Sequence, residues 1–262
     1  MLTIRKMKSD NYGEVEDFFA EDKNSDFFQK ANLGMIFKNQ NLVSYYGQYN
    51  NESLVSVFMS FHKLWYISLI AGSDYNQILE FIQNFKNEKI IINDVNKLFN
   101  SSYLSKEYKV SLVAEGNLFV RKTKVINENI DNIRRAKEDD VDNLVRFYEN
   151  APEDVKRGKD SILRSLDNGR RTYMSIRNDD IDAVVLTTGE TAEKAMLGGI
   201  HFANDISSLN SLMRKVTSDL ISESKEVLVV VRDPNIEIIC LSLGFEKRET
   251  WDMIHLQLND SI

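Results

Sequence analysis

Ile4-Arg5-Lys6-Met7-Lys8-Ser9-Asp10 and Ile133-Arg134-Arg135-Ala136-Lys137-Glu138-Asp139 align without a gap. The match runs on into Val15, Phe18 and Phe19 against Leu144, Phe147 and Tyr148, so the same apolar helix face follows the same opening in both places. A pattern that restarts one domain length further on predicts two similar domains in tandem. Each copy reads as a short strand, a loop closing on an Asp that can cap a helix, and an amphipathic helix.

Outward from the first copy, Leu42-Val43-Ser44-Tyr45-Tyr46-Gly47-Gln48-Tyr49 alternates with strand period, turns at Asn50-Asn51-Glu52 and returns as Leu54 to Met59. That is a β-hairpin pattern. A third strand, Leu64 to Leu69, gives way at Ala71-Gly72-Ser73-Asp74 to a helix with apolar Ile78, Leu79, Ile82 and Phe85; Lys89-Ile90-Ile91-Ile92-Asn93 then reads as a strand buried on both sides. The second copy keeps this order: a hairpin around Asn178-Asp179-Asp180, a strand from Ala195 to Phe202, and a helix marked by Leu209, Leu212, Met213, Val216 and Leu220. A strand at Val227 to Val231 follows, then a short helix ending at Gly244 and a last strand carrying Trp251, Ile254 and Leu256. Residues 122–132 are polar, lack periodicity and read as a linker.

The composition of the 262 residues, 42% hydrophobic and 10% aromatic, supplies apolar material for two cores. A single cysteine, Cys240, excludes an internal disulfide and fits a reducing, cytoplasmic compartment. Met1-Leu2-Thr3-Ile4 leads directly into charged residues, unlike a signal peptide. No apolar run approaches the roughly 20 residues of a membrane helix, so no membrane partner is expected. A net charge of −7 with a pI near 5.2 gives no basic field to collect nucleic acid. His62 and His255 have no spacing suited to a metal, and no metal is expected.

The stretch Glu226-Val227-Leu228-Val229-Val230-Val231-Arg232-Asp233-Pro234, a short helix and Leu243-Gly244-Phe245, at the end of this element order, resembles the GNAT superfamily of acetyl-CoA-dependent N-acetyltransferases. The resemblance implies a mixed α/β (α+β) fold of two tandem acyl-CoA N-acyltransferase-like domains, residues 1–121 and 133–262, each a largely antiparallel sheet flanked by helices. It also implies acetyl-CoA as co-substrate and a small amine as acceptor. In the family the fourth strand pairs with the pantetheine arm, and a loop rich in Gly and Arg wraps the diphosphate at the next helix N-terminus. By position these are Gly199-Ile200-His201-Phe202 and the loop from Ala203 to Ser211.

The loop departs from the family's Arg/Gln-x-x-Gly-x-Gly/Ala: it contains neither Gly nor Arg, and Asp205 adds a negative charge. Ser207, Ser208, Asn210 and Ser211 remain as phosphate donors, or as an ordinary polar cap. Cys240 stands where the family's thiolate-protonating Tyr stands, and reads either as a weak acid or as a small buried packing residue. Asp233 replaces the usual Asn. His201 fits a general base for an amine and equally a structural, hydrogen-bonded His, while Glu190 reads as a carboxylate that orients an amine or a water. Two functions follow: acetyl transfer, with acetyl-CoA bound weakly, or a non-catalytic scaffold for a ligand or protein.

Overall fold

In the computed structural model the described residues are 2–20, 23, 26–38, 43–61, 64–84, 90–94, 108–123, 132–151, 155–203 and 205–258. Most of the expected linker, Leu42, His62, Phe85, Lys89 and the side chain of His255 lie outside them. In chain order the elements are β1 (Leu2–Lys6), α1 (Tyr12–Phe18), α2 (Phe27–Lys38), β2 (Val43–Asn50), β3 (Ser53–Phe61), β4 (Leu64–Leu69), α3 (Tyr75–Gln83), β5 (Ile90–Asp94) and β6 (Tyr108–Arg121). The second half continues with β7 (Ile133–Arg135), α4 (Val141–Glu149), α5 (Lys159–Asp167), β8 (Thr172–Arg177), β9 (Asp180–Glu190), β10 (Lys194–Phe202), α6 (Ile206–Ser222), β11 (Glu226–Val231), α7 (Pro234–Ser242) and β12 (Glu246–Leu258).

The repeated opening folds alike in both copies. The Lys8 N–H donates to Asn11 Oδ1 at 3.0 Å, and the Lys137 N–H donates to Asp140 Oδ2 at 2.8 Å. Each bond closes a turn of 3-10 helix, Ser9–Asn11 or Glu138–Asp140, that feeds the first α-helix. Asp140 additionally takes a two-pronged ion pair from Arg134, at 2.6 and 2.7 Å, and that hydrogen bond holds its carboxyl below the usual range. The hairpin turns have the left-handed residues their shape demands, Asn51 in one copy and Asn178 and Asp179 in the other.

The chain divides into two compact units, residues 1–116 with 249–262, and residues 117–248. Within the first the strand order is β1-β2-β3-β4-β5-β12, and within the second it is β7-β8-β9-β10-β11-β6. Each is antiparallel except for one parallel step, β4 on β5 and β10 on β11. The last strand of each order comes from the other half of the sequence. Ile254 of β12 lies opposite Ile92 in the first unit, and Phe119 of β6 lies opposite Val229 in the second. The sequence reading instead places β12 in the domain 133–262 and ends the first domain at residue 121. Periodicity identifies a strand but not its neighbour, so the exchange carries no local signal.

Helices cover both faces of each sheet. In the first unit α3 buries Ile78, Leu79 and Ile82 against Tyr46, Phe58 and Trp65, while Val15, Phe19 and Leu33 from α1 and α2 pack on Tyr45, Val57 and Met59. In the second, Leu209, Leu212, Met213 and Val216 of α6 meet Tyr173, Val185, Leu197 and Val229, while Leu144, Tyr148 and Ile162 of α4 and α5 meet Met174 and Val184. Alternate residues of β8 and β9 thus point to opposite helical layers, as a strand period of two requires. Helices α2 and α5 have no counterpart in the sequence reading.

Candidate active site

Parallel pairing of β10 with β11 runs from Lys194 opposite Glu226 to Leu197 opposite Val229, and no further among the described residues. Both strands continue, to Phe202 and Val231, so they part company beyond Leu197. On its other edge β10 stays attached to β9, with His201 opposite Val184 and Phe202 opposite Ala183, after a bulge between Gly198 and His201. The bulge needs its glycines. Gly199 has φ +55°, and a Cβ there would lie 2.5 Å from Leu186 Cδ2; one on Gly198 would lie 2.5 Å from Thr188 Cγ2. The main chain from Gly198 to Phe202 therefore leaves the ladder on the β11 side.

Side chains around the bulge separate by face. Ile200 and Phe202 pack on the core beneath α6. His201 sits on the α4 side, its ring 5.1 Å from that of Phe147 and 6.2 Å from that of Tyr148. Desolvation lowers the His201 pKa below its ordinary value, which favours the neutral imidazole near pH 7. The Tyr148 hydroxyl donates to the Gly199 carbonyl at 3.0 Å, and burial pushes its pKa up to about 12, so it remains a donor. Arg157 reaches the same place: its Nη1 lies 3.6 Å from where a Gly199 Cβ would be, and its Nη2 donates to Ser161 and Ser165 of α5 at 3.3 Å each.

The N-terminus of α6 is closed by its own anion. Asp205 accepts the Ser207 N–H at 2.8 Å and pairs with Arg177 at 3.1 Å, and the bonds from Ser207 hold its carboxyl below the usual range. The Ser208 hydroxyl donates to the buried Asp182. Two of the expected phosphate donors are thereby committed within the protein. Asn210 has a buried Oδ1 without a hydrogen-bond partner, and Ser211 is half-buried on the helix. Asn204 lies outside the described residues. The first unit closes its equivalent helix the same way, with Asp74 accepting the N–H groups of Asn76 and Gln77.

The remaining candidates do not converge on His201. Glu190 lies opposite Ala195 at the far end of β10, six residues from His201, or roughly 20 Å along an extended strand. There it is held by Arg171 at 2.6 Å and Lys225 at 3.3 Å, an ionic cluster that fastens the β9–β10 turn. Asp233 accepts the Asn235 N–H at 2.8 Å and caps α7, with Pro234 supplying a preset first turn. Cys240 is fully buried in the α6 and α7 core, and burial pushes its thiol up to about 12. Cys240→Ala is accordingly expected to lower stability by about 1 kcal/mol while leaving acetyl-CoA binding unchanged; calorimetric melting and titration check both. Retained stability with a collapse in turnover would return the thiol to the chemistry.

Tyr148 and Arg157 join the site without having been singled out in the sequence. Tyr148 looks there like one more apolar helix position, and Arg157 falls in a polar stretch without periodicity. Among the described residues, no group of three His, Cys, Asp or Glu side chains could hold a metal ion, and no helix is long and apolar enough to cross a membrane.

No family model matches the sequence, and no curated protein matches it. Solved structures do. A tandem GNAT protein from the clavulanic acid biosynthesis pathway superposes with a TM-score of 0.63 at 10% identity, covering 100% of both chains. The chain has the fold of a tandem GNAT protein. A GCN5-related N-acetyltransferase from Sphaerobacter thermophilus gives a TM-score of 0.67 at 10% identity, over 98% of this chain and 95% of that one. An acetyltransferase of the GNAT family from Colwellia psychrerythraea gives 0.60 at 11% identity, over 97% and 100%. In chain order β10 is the fourth strand of the second half, and it separates from β11 beyond Leu197.

Proposed function

We propose that this GNAT-fold protein transfers the acetyl group of acetyl-CoA to a small amine at the bulge of β10. The parting of β10 from β11 beyond Leu197 carries the reading, because it leaves the β11-facing edge of Gly198 to Phe202 without a neighbouring strand, open to a pantetheine arm. Ile200 and Phe202 would flank that arm, and His201 faces the opposite side, where an amine would approach. A neutral His201 takes the proton of the attacking amine as the new N–C bond forms, the C–S bond breaks, and CoA leaves as a thiolate that solvent protonates.

The diphosphate end fits less well. Asp205 occupies the helix N-terminus that would receive it, and neither a Gly nor an Arg of the loop replaces what is lost. One or two missing charge-assisted hydrogen bonds correspond to about 2–3 kcal/mol, so acetyl-CoA should bind well above the submicromolar range. The same Asp205 supports a second reading, a scaffold that has given up the cofactor; absence of any calorimetric heat with acetyl-CoA would favour it.

His201 supplies the test of chemistry. Its folded pKa is depressed, so the base is neutral above the ordinary value of about 6.5, and kcat/KM should fall only on the acid side of that pH. His201→Gln should remove this limb and lower kcat by about 100-fold with acetyl-CoA binding retained. An unchanged pH profile in the variant would exclude His201 as the base.

A further inference from the structure

We infer that the acceptor carries a carboxylate, and that Arg157 at the α5 side of the β10 bulge is the residue that receives it; this rests on the acetyl-transfer reading. Arg157 is half-buried, yet its partners are two neutral hydroxyls, Ser161 and Ser165, both bonded through Nη2. No described carboxylate forms an ion pair with it, although Arg134, Arg171 and Arg177 of the same unit all have one. Its Nη1 and Nε donate to no described atom. A partly desolvated guanidinium with one edge spoken for and the other vacant presents the fork that matches a planar carboxylate.

A second guanidinium adds positive charge nearby. Burial lowers the Arg157 pKa, and Arg170, itself half-buried, is pushed down to about 10 by desolvation and by the nearby charge of Arg157. Position matters as much as charge. Nη1 lies against Gly199, whose carbonyl is held by Tyr148, and the Tyr148 ring stacks on His201. A ligand carboxylate on Arg157 would therefore sit one glycine from the strand that carries the base, with its amine directed along β10 toward His201.

The test uses the full chain without acetyl-CoA, so that it is independent of transfer. N-acetylglycine and N-acetylglycinamide, which differ only in charge at the terminal group, are titrated while the ¹⁵Nε signal of Arg157 is followed by NMR, its assignment fixed by its loss in Arg157→Gln. The acid is expected to move that signal with half-saturation at least tenfold lower than the amide. In Arg157→Gln, followed through amide signals of Gly198 and Gly199, the preference should vanish, and in Arg157→Lys, which keeps the charge but not the fork, it should be reduced. Equal response to acid and amide, or a preference that survives in the variants, would overturn the assignment; so would inorganic phosphate binding more tightly than the acid. Carboxylate binding without any acetyl transfer would instead sink the proposed reaction and leave Arg157 as an anion site.

Discussion

A chain that stops at Arg248 is expected to keep its second unit and lose protection in its first. The missing residues include the part of β12 that lies antiparallel to β5, from Asp252 opposite Asp94 to Leu256 opposite Ile90. Four or so ladder hydrogen bonds at about 1 kcal/mol each amount to about 4 kcal/mol, a large share of the 5–15 kcal/mol that holds a typical domain together. The cut also leaves Ile90-Ile91-Ile92 as an open, β-branched edge, which invites aggregation. Hydrogen exchange should report fast amides at 90–94 and 64–69, with 194–202 and 227–231 still protected. Loss of protection in the second unit instead would mean that β12 belongs to the sheet the sequence suggests.

Phe119→Ala is the complementary experiment and should strike the second unit although the residue precedes the second repeat. Phe119 is fully buried, lies opposite Val229, and packs in the core that contains Leu212, Val216 and Cys240. Truncating a buried Phe to Ala costs about 3–5 kcal/mol, enough to depress the melting temperature of that unit by many degrees. Denaturant unfolding followed by exchange at Val227–Val231 gives the number. A cost below about 1 kcal/mol would show that β6 is dispensable there.

The element order was legible because each helix and strand announces itself locally. The gapless repeat locates β1 and β7, the turn residues around Asn51 and Asn178 locate the hairpins, and Gly244, with φ +76°, ends α7 where a left-handed cap fits. What the sequence hides is long-range. Strand exchange pairs residues 119 with 229 and 92 with 254, and the only sequence record of it is that all four segments are apolar. Glu190 and His201 share the same two strands in the sequence, but strand length sets them at opposite ends. Asp205 was visible as a charge in the wrong place, and the structure gives the reason: it caps the helix, as Asp74 does in the other unit. Arg157 became a candidate only when the carboxylates that pair the neighbouring arginines could be seen to leave it alone.

The central claim is that acetyl-CoA lies along β10 of the second unit, held by the strand rather than by the helix N-terminus. Hydrogen exchange with and without saturating acetyl-CoA tests it most directly. The account predicts slowed exchange at Gly198 to Phe202 and little change at Ser207 and Ser208, whose amide N–H groups Asp205 already accepts. Unchanged exchange along Gly198 to Phe202, or protection confined to the first unit, would contradict it.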